Sequence, residues 1–300
     1  MIVLHYNLII QNLCRNKGIF LDIGYDFLFI SNKPFIWGVI VLELNDVLHG
    51  HKSIREYEDK DVSQELLEQI LDAGIRASSS GNMQSYSIIV TKDKELKKKL
   101  YTAHMDQSMV IDAPILLTFC ADFNRMRKWL TLNDAPVHFD NFMSFMIGAI
   151  DATLVAQNCA LAAENAGLGL CYMGSTLANC NQIGEILNLP PNVVPIVGYS
   201  LGYPKENPPL RDRLPRHGLV HYEQYNDYSN EEILEIYKDR DEKGWKRYMD
   251  IPKLKEMTEQ LGLKNLAQIY TIAKYTQESH HQFSNTVLDY LEKQNYMNNK

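Results

Sequence analysis

Hydrophobic positions along the chain change their spacing in a way that separates helices from strands. Val41 to Gly50 reads as a short helix. Leu66, Leu67, Ile70, Leu71 and Gly74 then recur at helical spacing and define one apolar face. Asp61 or Ser63 stands where an N-cap is required, because its side-chain oxygen can accept a first-turn amide proton. That helix runs into Ser78-Ser79-Ser80, whose hydroxyls compete for backbone hydrogen bonds and should end it. Tyr86 to Thr91 is short and β-branched, hence a strand, and Asp93 to Ala103 is a charged surface helix. Pro114 to Ala121 is a continuous apolar run between breakers, which marks a buried strand. Phe142 to Ala166 is apolar almost all round, as in a helix buried in a core or at a subunit interface. Asp151, Gln157 and Asn158 lie within it and need partners, and Gly167 is a natural C-terminal stop.

Beyond Gly167, the pattern predicts a strand at Leu168 to Met173, a helix at Asn179 to Leu187 and an apolar strand at Val193 to Tyr203. Pro204 to Pro215 is a proline-rich loop, and Asn230 to Tyr237, Lys253 to Leu261 and Phe283 to Lys293 are helical. The elements do not follow the strict strand–helix–strand alternation of a doubly wound sheet, which argues for an α+β fold. Ile19 to Leu44 is rich in apolar and aromatic residues but is broken by Asp22, Asp26 and Ser31-Asn32-Lys33-Pro34. It falls short of the roughly 18 apolar residues of a membrane span, and Met1 to Ile10 lacks the basic start of a signal peptide. Residues 1–41 therefore read as an N-terminal extension, with no membrane association expected.

Composition narrows the function. A net charge of −7 and a pI near 5.7 argue against a nucleic-acid partner, so a local cluster of basic residues marks a small anionic ligand. The cysteines Cys14, Cys120, Cys159, Cys171 and Cys180 contain no CxxC pair and no regular spacing. They read as reduced thiols of a cytoplasmic protein, with no metal site.

Candidate chemistry lies in short motifs. His51-Lys52-Ser53-Ile54-Arg55 gathers cations, an imidazole and a hydroxyl, which is what a phosphate monoester requires. The serine run offers hydroxyls at a helix end, and Gly174, after Tyr172-Met173, would let backbone approach a planar ring. Arg211 and Arg213 sit in a long loop of a kind that is often functional. Taken singly, each motif is equally a solvated charge cluster or a polar loop. Gly167-x-Gly169 follows a helix and precedes a strand, the reverse of a dinucleotide fingerprint. Cys171 reads as packing and His280-His281 as an exposed pair.

Taken in order, these motifs resemble those of the nitroreductase family, in particular the oxygen-insensitive NADPH nitroreductases and NADPH–flavin oxidoreductases. The family's HRSIR stands here as His51 to Arg55, its serine cluster as Ser78 to Gln84 and its Gly-Gln element as Asp106-Gln107. Its CADFNR is Cys120 to Arg125, its buried helix Asp151 to Asn158, its GLGxxYIG strand Gly167 to Gly174 and its PLKPRLP loop Pro209 to Pro215. The late Leu288 to Gln294 also fits, and the resemblance runs from about Leu42 to the C-terminus.

The resemblance implies one FMN-dependent domain over residues 42–300. Its fold would be a central, mostly antiparallel sheet surrounded by helices, with a C-terminal helical extension. The implied assembly is a homodimer with FMN at the subunit interface. The implied reaction is ping-pong hydride transfer from NADPH or NADH to a nitroaromatic, quinone or flavin acceptor. A flavin-binding carrier or sensor without reductase turnover is the alternative. By the same resemblance, His51, Lys52, Ser53 and Arg55 hold the phosphate and ribityl chain, and Ser79, Ser80 and Gln107 contact the ribityl or ring. Met173 and Gly174 lie against the ring, and Arg211 and Arg213 face the cofactor or nicotinamide pocket. No protein acid or nucleophile is needed, because the flavin carries the hydride chemistry. Three features depart from the pattern: Lys52 replaces an arginine, Leu177 replaces a basic residue, and the segment that selects NADPH in relatives is shortened around Arg240 to Trp245. Arg240 and Lys243 are the cations that could meet a 2′-phosphate.

Overall fold

The computed structural model describes residues 44–299 together with two short strands, β1 (Phe35–Ile36) and β2 (Val39–Ile40), paired antiparallel. The remainder of the expected extension at residues 1–41 lies outside the described residues. Helix α1 (Leu44–Gly50) precedes the first motif. Helix α2 (Gln64–Ile75) is capped by Ser63, whose Oγ accepts the Leu66 N–H at 3.2 Å. Of the two candidate caps, Ser63 is the one used.

A four-stranded sheet is formed by β3 (Tyr86–Thr91), β4 (Ile115–Asp122), β5 (Gly169–Tyr172) and β6 (Val193–Gly202), in the order β3-β4-β6-β5 with every pair antiparallel. The connections carry α3 (Lys94–Ala103), α4 (Met109–Asp112), α5 (Asn124–Leu132), α6 (Phe142–Asn165), α7 (Ser175–Ala178) and α8 (Cys180–Ile186). Central β4 is buried at every position because both faces of the sheet are covered. On one face Leu117, Phe119 and Ala121 meet Ala152, Val155, Ala156 and Cys159 of α6. On the other, Leu116 and Cys171 join Leu100, Ala103, Met109 and Ile183. Double coverage is why the strand reads as an unbroken apolar run rather than an alternating one.

The C-terminal helices are α9 (Asn230–Asp250), α10 (Pro252–Gln260), α11 (Leu266–Gln268), which continues into a wider turn at Ile269–Lys274, and α12 (Gln277–Lys293). The tail is anchored by Tyr296, which is fully buried, donates to Asn192 O at 2.5 Å and accepts the Phe123 N–H at 3.3 Å.

Several elements differ from the sequence expectation. Helix α5 is absent from that expectation: it is short, its apolar Met126, Trp129 and Leu130 lie among charged residues, and none of its residues is fully buried. Helix α9 continues well past Tyr237. It fully buries only Ile236 and Gly244; a Ser229–Glu232 capping box, ion pairs and the packing of Trp245 and Tyr248 on Leu263, Leu266 and Ile269 hold it, so its apolar signal fades early. The helix expected from Asn179 to Leu187 is α8, but the short α7 before it is not part of the expectation, and α12 begins at Gln277 rather than Phe283.

Candidate flavin site

The sheet edge at β5 is covered by the first motif rather than by another strand. Ser53 bridges Leu170 in parallel, the Ile54 N–H donates to Leu170 O at 2.9 Å, and Tyr57 bridges Pro204. Ile54 and Tyr57 are buried and anchor the segment. Gly169 permits this docking, since a Cβ there would lie 2.6 Å from Ile54 Cγ1. The anchors leave His51, Lys52 and Ser53 half-buried and Arg55 exposed along the edge.

The loop after β6 folds back over this segment. Lys52 Nζ donates to Asn207 Oδ1 at 2.6 Å, and the Glu206 carboxylate accepts the N–H groups of Arg55 (2.5 Å) and Glu56 (3.2 Å). His51 Nδ1 lies 2.7 Å from Glu164 Oε1, at the end of α6. The hydrogen bond to Glu164 raises the His51 pKa, against burial and the nearby Arg213 charge, which lower it. Arg213 therefore lies near enough to the first motif for its charge to be felt at His51. Its Nη1 donates to the carbonyls of Arg211 (3.3 Å) and Asp212 (3.1 Å). Asp212 is itself clamped by Arg240 at 3.6 Å and Arg247 at 3.3 Å, which ties the loop to α9.

At the other end of β5, the chain turns through Met173-Gly174-Ser175. Met173 is buried and its N–H is bonded to Gly198 O at 2.8 Å, so the exposed surface of the turn belongs to Gly174. A Cβ on Gly174 would meet nothing within 4 Å, so open space lies above it. Gln107 is brought to this turn: its Nε2 donates to Ser175 Oγ at 3.2 Å and to His104 O at 2.7 Å. Cys171 lies beneath, its thiol pKa raised by burial, which suits packing rather than nucleophilic chemistry.

Within one chain, the structure thus gathers His51, Lys52, Ser53, Arg55 and Arg213 along β5, with Gln107 and Gly174 at its end. Arg211 shares the Arg213 loop and is exposed. Ser79 and Ser80 bond elsewhere. They stand at the end of α2, where the Ser80 N–H donates to Asp151 Oδ1 at 3.0 Å and Ser79 Oγ accepts the Gln84 N–H at 3.2 Å. Asp151, fully buried on α6, also accepts from Ser85 N (3.3 Å) and Oγ (2.8 Å), which meets the need its burial created. The two cations expected to meet a 2′-phosphate are already engaged. Arg240 is held by Asp212 and by the Tyr270 hydroxyl at 3.0 Å, and Lys243 by Asp239 at 3.0 Å. Glu164, Asp212, His104 and Ser175 were not singled out from sequence; their partners lie far along the chain or depend on turn geometry, so no local spacing announces them.

FMN combines a phosphate, a hydroxylated chain and a planar ring. The residues suit it: cations and a hydroxyl from Lys52 to Arg55, a further cation at Arg213, an amide at Gln107 and an unobstructed glycine turn. Among the described residues, no cluster of His, Cys, Asp or Glu could hold a metal ion.

A family model described as the nitroreductase family matches residues 48–203. A Cr(VI) reductase of Pseudomonas sp. (strain G-1) is 30% identical over 219 residues, covering 73% of this chain and 90% of that protein. An FMN reductase [NAD(P)H] of Bacillus subtilis is 37% identical over 187 residues, covering 61% of this chain and 75% of its own. The crystal structure of nitroreductase A from Vibrio parahaemolyticus superposes with a TM-score of 0.71 at 32% identity, covering 85% of this chain and 98% of its own.

Proposed function

This chain belongs to the nitroreductase family, and from that premise we propose that the β5 edge is an FMN site serving an NAD(P)H-dependent oxidoreductase. The protein is an oxidoreductase enzyme that uses FMN with a reduced nicotinamide as electron donor. The observation that carries the site assignment is the convergence on β5 of a cationic segment, the Arg213 loop and the open Gly174 turn. FMN supplies the hydride chemistry when bound. Ser53, Lys52, Arg55 and Arg213 hold the phosphate end by charge-assisted hydrogen bonds. Gln107 and Gly174 position the ring, and His51 orients the segment through Glu164. Nicotinamide and acceptor occupy one face in turn, in a ping-pong sequence, which supplies the proximity both transfers need. The acceptors are nitroaromatics, quinones or flavins, and the Pseudomonas relative adds Cr(VI) as an acceptor to assay.

The reading includes a homodimer. Phe142, Met143, Met146, Ile150 and Leu154 are exposed apolar residues at helical spacing along α6, a stripe suited to a second copy. Among the described residues, α6 is the one helix long and apolar enough to cross a bilayer, but its other face carries the core, including fully buried Ala152, Val155 and Ala156. Ser79 and Ser80 ride on the same helix through Asp151, so pairing along α6 would deliver them to the partner's flavin. Residues 42–300 act as one FMN-binding unit. The buried, unpaired Cys120, Cys159, Cys171 and Cys180 suit a reducing, cytoplasmic setting.

The test is anaerobic reductive titration. The purified protein is expected to be yellow, with flavin absorbance bleached by NADPH or NADH and restored by a quinone or nitro acceptor. Colourless protein that fails to take up added FMN would overturn the assignment.

A further inference from the structure

Behind the Gly174 turn lies a buried imidazole that the proposed chemistry leaves unused. His104 is 1% exposed and terminates α3. Its Nδ1 shares a hydrogen bond of 2.9 Å with Ser175 Oγ. Burial lowers its pKa to about 4, so the ring is neutral at physiological pH. The next two residues, Met105 (φ 58°) and Asp106 (φ 53°), are both left-handed, a sterically costly pair that folds Gln107 back against the helix end. Asn179 Nδ2 donates to Ala103 O at 2.7 Å and closes the same junction.

This arrangement fixes the orientation of the Gln107 amide. A backbone carbonyl only accepts, so the group 2.7 Å from His104 O must be the NH2. Its second proton goes to Ser175 Oγ at 3.2 Å. With both protons committed, the amide oxygen is the group Gln107 can present to a ligand over Gly174.

We propose that His104 is a positioning residue: its carbonyl sets which way the Gln107 amide points and its imidazole, through Ser175, holds that amide in place, so that the amide oxygen, an acceptor, faces a ring N–H of the bound flavin. This rests on the FMN assignment above. A Gln107 free to flip would offer donor and acceptor alternately, and the lock removes that ambiguity before the cofactor arrives.

The test compares His104→Leu, His104→Asn and Gln107→Ala, with FMN titrated into the apoproteins by fluorescence quenching. Asparagine places a polar atom near the Nδ1 position, whereas leucine does not. His104→Leu is expected to weaken FMN by about tenfold, which corresponds to about 1.4 kcal/mol. His104→Asn should recover most of that loss. In the Gln107→Ala background, His104→Leu should add nothing, because its effect passes through Gln107. The midpoint potential of the bound flavin should shift in the same direction in His104→Leu and Gln107→Ala. If His104→Leu fails to fold, Ser175→Ala replaces it and must reproduce the FMN loss and the non-additivity. Wild-type FMN affinity in a folded His104→Leu, or an effect that persists undiminished without Gln107, would overturn the inference. Failure of the wild-type protein to bind FMN would instead overturn the site assignment and this inference with it.

Discussion

Substituting Gly169 by alanine probes the packing that makes the site. The added methyl would lie 2.6 Å from Ile54 Cγ1, 2.8 Å from its Cβ and 3.0 Å from its Cγ2, so the segment cannot stay in place. Ile54 is 6% exposed, so it has little room to retreat. Overpacking of this kind costs about 1–3 kcal/mol. Separating the segment from β5 also threatens the Ile54 N–H bond to Leu170 O, at 2.9 Å, worth about 1 kcal/mol net. The expected loss is therefore about 2–4 kcal/mol, read as a lowered denaturation midpoint. FMN affinity should fall with it, because Lys52, Ser53 and Arg55 move with Ile54. Removing Cγ1 and Cγ2, two of the three obstructing atoms, with Ile54→Ala costs about 2–5 kcal/mol alone. In the double variant it should cost less than the sum, with a coupling of about 1 kcal/mol. A Gly169→Ala protein with unchanged stability and FMN binding would refute the claim that close approach at Gly169 builds the site.

Other consequences are open to direct measurement. Arg55→Ala and Arg213→Ala should each weaken FMN by about tenfold to a hundredfold and leave riboflavin, which lacks the phosphate, little changed in titrations. Ile150→Glu should convert a dimer to monomers in sedimentation and reduce FMN retention, because it puts a charge into the exposed α6 stripe. His51 has its pKa raised above 6.5 by Glu164, so the stability from this pair is complete below about pH 6.5 and is lost as pH rises through the raised value. Thermal melts of Glu164→Gln against wild type should therefore differ most on the acidic side and converge at alkaline pH. Asp212→Ala should free Arg240 and Arg247 and shift the ratio of KM values toward NADPH by up to about tenfold; an unchanged ratio would mean that the clamp withholds neither arginine from the donor.

Much of the site was legible one motif at a time. The His51 to Arg55 cluster, the Gly174 turn and the Arg213 loop carry residue types whose chemistry is local, and the flanking strands have apolar patterns that periodicity can read. Asp151 was marked as needing a partner simply because it interrupts an apolar helix, and three donors meet that need. Helix α5 and the second half of α9 were not legible, since neither buries a continuous apolar stripe.

By itself the sequence determined the α+β class, the main strands and core helices, and which short segments carry cations, hydroxyls and glycines. These depend on neighbours within a few residues, where side-chain spacing and backbone preference act directly. Only the tertiary structure decided that Ser53 lies against Leu170, that His51 meets Glu164, that Asp212 ties up Arg240 and Arg247, and that His104 and Ser175 orient Gln107. Most of those pairs join residues distant in sequence, and even His104 and Gln107 meet through two left-handed residues, so each contact exists because sheet register and helix packing bring it about. The same folding ties Ser80 to Asp151 of α6, the helix along whose exposed stripe a second copy is proposed to pair.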